Sequence, residues 1–263
     1  MNERYEVNKR AATSPEILAQ KIRNAGFLSR AVAYFLRPFT WRLKAFYLKV
    51  KYAHHADKRT LNWDWNAINY NRIALVNLLL GKFSAPAYLE IGCALDGLFN
   101  SLPTLNKTGV DPSSGGTVRM TSDDFFASNA TRFDVVFIDG LHTYEQVRRD
   151  TINALACLNP GGWIALHDML PRNWIEQHVP PVSGDTWTGD VWKLAFELKE
   201  THGIEFKVLK IDHGVGVIKV IEPSVLLSDL RHELSDKTFS YYFDHLRQLP
   251  IIEWNDAQVW LRS

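Results

Sequence analysis

The chain has 263 residues, 46% of them apolar and 22% charged, the composition of an ordinary soluble protein with enough length for a sizeable core. Thirty basic against twenty-nine acidic side chains leave no net field that would single out nucleic acid as a partner. Two cysteines, Cys93 and Cys157, cannot form a zinc knuckle, and their place inside apolar segments points to reduced thiols in a cytoplasmic setting rather than a disulfide framework. No signal peptide is evident, and no run approaches the roughly 18 apolar residues of a membrane span.

Residues 1 to 15 are polar and carry no function that can be argued. From Ile17 to Ala56 there is no acidic residue, while Lys21, Arg23, Arg30, Arg37, Arg42, Lys44, Lys49 and Lys51 alternate with aromatic and aliphatic side chains. The spacing predicts helices around Leu28 to Leu36 and Trp41 to Tyr52, separated at Pro38. This extension is expected to cover the core or a homo-oligomer interface, with peripheral contact to an anionic membrane surface as the alternative. Asn62 to Lys82 reads as one helix ending at Gly81, with Ile68, Ile73, Val76, Leu79 and Leu80 as its apolar stripe.

Ala87 to Gly92 then reads as a strand, followed by a glycine turn through Gly97 and a short helix. Such a turn lets a ligand approach the backbone. A dinucleotide fingerprint would place a glycine where Ala94 stands, which argues against a nicotinamide cofactor. Lys107 to Asp111 is a second strand whose terminal acid lies about 20 residues after the turn, where a carboxylate can accept ribose hydroxyls. Thr117 to Met120 reads as a short third strand, and Ser122 and Asp123 open the helix Phe125 to Ala130, either capping it or facing a ligand.

The segment Phe133 to Asp168 carries the most information. Val135 to Ile138 is a continuous apolar run of the kind a strand shows when helices bury both its faces. Asp139, Gly140, Leu141 and His142 follow it, then a helix, a break at Pro160, Gly161 and Gly162, and the strand Trp163 to Leu166 ending in His167 and Asp168. Right-handed crossovers put the ends of two such strands on one edge of the sheet, the edge at which open α/β sheets bind ligands. Asp139, His142, His167 and Asp168 are therefore expected to converge.

These motifs, Leu89-Glu-Ile-Gly92, Gly109-Val-Asp-Pro112, Thr121-Ser-Asp-Asp-Phe-Phe126, Phe137-Ile-Asp-Gly-Leu-His-Thr-Tyr-Glu-Gln-Val147 and Asn159-Pro-Gly-Gly-Trp163 followed by His167-Asp168, resemble in order and spacing the class I S-adenosylmethionine-dependent methyltransferases. The resemblance covers Leu89 to about Ile221, and Trp187-Thr-Gly-Asp-Val-Trp-Lys193 also resembles the small O-methyltransferases of sugar, polysaccharide and natural-product tailoring. It implies a Rossmann-like, doubly wound α/β fold with a mostly parallel seven-stranded sheet and an antiparallel hairpin near its end, here Phe206 to Ile211 with Val215 to Ile221. It further implies that Glu90, Gly92 and the turn through Gly97 hold the methionine moiety, Asp111 the ribose, and Ser122 with Asp123 the adenine. The turn Gly92-Cys-Ala-Leu-Asp-Gly97 departs from the usual glycine pattern of that family.

Two carboxylates about 4 Å apart repel by roughly 4 kcal/mol at an effective dielectric of 20, so convergence of Asp139 and Asp168 calls for a shared proton or a cation. Asp139, Asp168 and His167 form a candidate ligand set for Mg²⁺ or Mn²⁺. His142 is the candidate general base. The loop Met169 to Gly189, with Trp187 and then Asp190, is placed to be a substrate lid, and His213 reads as a turn residue. The expected organisation is an extension over 1–60, a catalytic core over 61–222 and a helical tail over 223–263 packing on the core or a partner copy. The function expected is methyl transfer to a hydroxyl of a small-molecule or glycan acceptor. A metal-free methyltransferase, a nicotinamide-dependent oxidoreductase and a non-catalytic scaffold are the competing readings.

Overall fold

Phe133–Ile138 becomes β3, the central strand, and its burial explains why it is apolar on both sides. Val135 and Phe137 face one hydrophobic layer, Val136 and Ile138 the other. The structure is a computed structural model that describes residues 42–183 and 186–262. The expected helix around Leu28 to Leu36 and the break at Pro38 lie outside the described residues. Two units divide the chain between Val50 and Lys51. Of the first, residues 42–50 are described, and they are helical.

In the second unit β3 joins β1 (Tyr88–Ile91), β2 (Lys107–Val110), β4 (Leu158–Leu166), β5 (Ile204–Leu209), β6 (Val215–Val220) and β7 (Ile251–Ile252) in the order β2-β1-β3-β4-β6-β5-β7. The first four are mutually parallel, β6 runs antiparallel to both β4 and β5, and β7 pairs parallel with β5. This is the Rossmann-like sheet with its antiparallel close. The helices are α1 (Arg72–Leu80), α2 (Ser122–Ser128), α3 (Tyr144–Ala156), α4 (Trp174–Gln177), α5 (Trp192–Glu200), α6 (Arg231–Leu234), α7 (Phe239–His245) and α8 (Trp254–Arg262). Residues of α3, α5 and α7 build the core on one face of the sheet, and residues of α1 and α8 build it on the other.

Three elements differ from the expectation, each for a local reason. The helix expected from Asn62 begins only at Arg72. Asp64 accepts from the backbone N–H of Asn66, and Asn71 accepts from those of Ile73 and Ala74, so these short polar side chains take the amide protons that a continuous helix would use. Thr117 to Met120 forms a single bridge, Val110 to Val118, because the Thr117 and Val118 amides both converge on the Gly109 carbonyl. The tail is not wholly helical, since Ile251 and Ile252 add a strand at the edge next to β5. Two residues are too few to show an alternating pattern.

One buried ion pair ties the tail to the core. Glu197, fully buried on α5, accepts from Arg148 Nε at 2.8 Å, from Tyr144 Oη at 2.7 Å and from the Leu230 amide at 2.8 Å. Removing the guanidinium would leave a buried carboxylate without its counter-charge. Arg148→Ala is therefore expected to lose about 3–5 kcal/mol of stability in denaturant unfolding, with the tail segment near Leu230 the first to lose protection from hydrogen exchange.

Candidate active site

A cleft of about 1040 Å³ opens along the carboxyl ends of β1, β2, β3 and β4. At its β1 end the chain turns at Gly92, with φ of 86°, and a Cβ there would lie 2.1 Å from the Asp139 carbonyl oxygen. Only glycine lets the β1 turn approach the end of β3 this closely. Ala94 and Asp96 follow with φ of 48° and 60°, and the Asp96 carboxylate accepts from the Gly116 amide. Gly97 lines the cleft, but its position has room for a side chain.

Asp111 follows β2. Its Oδ1 accepts from the Ser113 and Ser114 amides at 2.7 and 2.8 Å, and its Oδ2 from the Ala94 amide at 3.0 Å. Burial opposes ionisation of this carboxyl, yet the backbone N–H groups win and hold it below the usual carboxylate range. Ser122 and Asp123 line the cleft from the first turn of α2, where Gln146 donates to both. Thr121, not either of them, caps that helix.

Glu90, at 2% exposure, accepts from Tyr88 Oη at 2.7 Å. Burial, with a smaller push from Asp139, raises its carboxyl to about 7 against bonds and charges from Tyr88 and Arg72.

The far end of the cleft gathers ionisable groups. Asp139, after β3, has Oδ1 at 3.1 Å from His142 Nε2 and 3.2 Å from His167 Nδ1. Asp168, after β4, sits at φ of 66°, which turns it back toward the cleft despite following His167 directly. Its Oδ2 is 3.0 Å from His142 Nδ1 and its Oδ1 3.2 Å from His167 Nδ1. Burial disfavours the Asp139 carboxylate, but His167 and His142 hold it well below the usual range. Burial likewise lowers both imidazoles, and the facing carboxylates overcome it and raise both. Asp139, His142 and Asp168 each offer a ligand atom within 4.8 Å of the others.

Asp190 does not line this cleft; its carboxylate takes the Tyr144 amide at the start of α3 and pairs with Lys193. Trp187 stacks on the His142 ring at 5.3 Å, its carbonyl lies 3.0 Å from His142 Nδ1, and its indole donates to the His178 carbonyl. Gly189 fastens the loop, since a Cβ there would collide with the His142 carbonyl.

Arg72, Asp212 and His213 also belong to this end and were not singled out as site residues from the sequence. Arg72 Nη1 lies 2.7 Å from His167 Nε2 and 3.6 Å from Asp139, and the Arg72 amide donates to Asp212. Asp212 and His213 occupy the β5–β6 turn at φ of 43° and 62°, and His213 Nδ1 is buried without a hydrogen-bond partner among the described residues. The available sequence signal was the Asp212-His213-Gly214 turn between two apolar strands, and Arg72 offered none.

Residues 99–169 match the family model for a methyltransferase domain. No curated protein sequence matches the chain. Among solved structures it is similar to an O-methyltransferase from Bacillus cereus in complex with SAH, at 16% identity over 76% of this chain and 99% of that one, with a TM-score of 0.43. It is also similar to the O-methyltransferase TomG from Streptomyces achromogenes, involved in tomaymycin synthesis and in complex with SAM, at 16% identity over 56% and 78%, TM-score 0.41. A third is MycE methyltransferase from the mycinamycin biosynthetic pathway, in complex with Mg and SAH, at 18% identity, covering 54% of this chain and 46% of that one, TM-score 0.36. At such identities the likeness assigns no substrate and no residue role. Residues 99–169 are thus similar to a methyltransferase domain, and they lie on a Rossmann-like sheet.

The state of Glu90 gives a pH test. Its folded-state value, about 7, lies above the unfolded 4.5, so the protonated carboxyl favours the native state below about pH 4.5 and that contribution is lost as pH climbs through about 7. Glu90→Gln is expected to gain about 3 kcal/mol on the wild type across that window, at ~1.4 kcal/mol per pH unit, in denaturant titrations of both proteins.

Proposed function

We propose that the protein transfers a methyl group from S-adenosylmethionine to a hydroxyl oxygen of a small-molecule or glycan acceptor, assisted by a divalent cation, Mg²⁺ or Mn²⁺, and by His142 as general base. The observation that carries this reading is the meeting of Asp139, His142 and Asp168 at one end of a cleft whose other end is formed by the Gly92 turn and Asp111. Asp139, Asp168 and Asp212 face Arg72, His142 and His167, and the carboxylates raise both imidazoles, so the negative charge gathered here is met either by protons on the rings or by a cation in their place.

Asp139 and Asp168 would hold the cation, with His167 as the third candidate ligand, and Asp111, Glu90 and the Gly92 turn would hold the donor. When bound, the donor supplies an electrophilic methyl group and the cation makes a coordinated hydroxyl more acidic. The chain's own residues do the rest. Both His142 nitrogens face acceptors, Nδ1 the Trp187 carbonyl and the Asp168 carboxylate and Nε2 the Asp139 carboxylate, so Nε2 would be the nitrogen that takes up the acceptor proton once Asp139 is engaged by the cation. The imidazolium so formed lies between Asp139 and Asp168, which stabilise it. Trp187 stacked on the ring limits its rotation and covers that side from water.

Asp111→Ala is expected to weaken binding of S-adenosylhomocysteine by about 1.5–3 kcal/mol in calorimetry, the value of hydrogen bonds to a charged group. NAD should show no binding in the same cell, and unchanged affinity in a folded Asp111→Ala protein would remove the donor site from this position.

The cation is tested separately. Mg²⁺ or Mn²⁺ should raise the unfolding temperature of the wild type, and Asp139→Asn or Asp168→Asn should abolish that shift together with most activity. His142→Ala should retain the shift and lose about 10²- to 10⁴-fold in turnover. Loss of the shift in His142→Ala with its retention in His167→Ala would make His142 the ligand instead, and activity that survived exhaustive chelation would remove the cation.

A further inference from the structure

The helix over residues 42–50 turns its large apolar side chains outward. Leu43, Phe46, Tyr47 and Val50 are 55%, 69%, 62% and 60% exposed. At the helical increment they share one arc of about 100°. Ala45 and Leu48, which with Lys49 are the half-buried positions, point the opposite way. The outward stripe is therefore a second apolar face in addition to the half-buried one. Arg42 and Lys49 border the stripe on one side, Lys44 and the following Lys51 on the other, and no acidic residue occurs between Ile17 and Ala56.

This charge pattern selects the occupant. A second copy of the same helix would bring basic borders against basic borders in either orientation, and like charges at that range are repulsive. An anionic bilayer offers both things the face lacks, an apolar layer for the stripe and negative headgroups for its borders. No helix among the described residues is long and apolar enough to cross a membrane, and a one-sided apolar stripe with basic borders suits a helix lying in the interface plane.

We propose that residues 42–50 dock the protein on the surface of an anionic lipid bilayer, with Leu43, Phe46, Tyr47 and Val50 entering the boundary between headgroups and acyl chains and Arg42, Lys44 and Lys49 contacting the headgroups. Leu43 and Val50 lie nearest the middle of the stripe, and Phe46 and Tyr47 flank them. The basic borders supply the selection for anionic lipid and a dependence on ionic strength.

The full-length chain is to be sedimented with vesicles of phosphatidylcholine alone and of phosphatidylcholine mixed with phosphatidylglycerol. The wild type should pellet with the mixed vesicles and stay in solution with the neutral ones, and salt should release it. Phe46→Asp should lower vesicle binding by about tenfold or more, since a charge in the stripe must leave the interface. Arg42→Glu combined with Lys49→Glu should lower it by a similar factor, and all the variants should keep the wild-type unfolding temperature because the altered side chains are not core. The proposal is overturned if the wild type ignores anionic vesicles, if it binds neutral ones equally, or if Phe46→Asp binds as well as wild type. It is also overturned if sedimentation velocity shows a wild-type dimer that Phe46→Asp dissociates while neither protein binds vesicles, which would make the stripe an interface between copies.

Discussion

The site depends on the crowding of partly or fully buried acidic groups at one edge of the sheet. Asp139 follows β3, Asp168 follows β4 and Asp212 follows β5, and the sheet brings all three to one end of a cleft. Carboxylates crowded in this way destabilise the fold unless cations face them. Arg72 and His167 supply part of that compensation from within the chain, with Arg72 between His167, Asp139 and Asp212. The remaining negative charge is available to a ligand. The electrostatic cost of folding this edge is what would favour the proposed cation there.

Positioning follows from the backbone. Gly92 permits the β1 turn to rest against the Asp139 carbonyl, so the glycine-turn end and the acidic end of the cleft share one seam. Gly189 does the same for the loop over His142, and Asp190 secures it by accepting the first amide of α3. Because Trp187 stacks on His142 and its carbonyl faces Nδ1, the loop sets the orientation of the ring as well as covering it.

The chain's charges are unevenly distributed. In the core unit the basic residues near the cleft, Arg72 above all, are committed to buried acids. In the segment before residue 51 the basic residues have no acidic residue near them in the sequence and border exposed apolar side chains. A balanced net charge therefore conceals an uneven distribution, and it is the distribution that bears on function.

Much of the fold was legible in sequence because a strand buried on both faces must be continuously apolar, and Val135 to Ile138 and Trp163 to Leu166 are. The same segments located the strand ends, so Asp139, His142, His167 and Asp168 could be named together without coordinates. What the sequence alone could not decide depended on contacts distant along the chain. Arg72 looks like any residue at a helix start until β3, β4 and the β5–β6 turn surround it, and Asp212 and His213 look like turn residues until their positive φ values aim them at the cleft. Asp190 reads as part of a lid by position, yet a helix amide 46 residues away takes its carboxylate. Periodicity records which side of an element is buried; which distant charge meets which is fixed only when the sheet order brings their elements together.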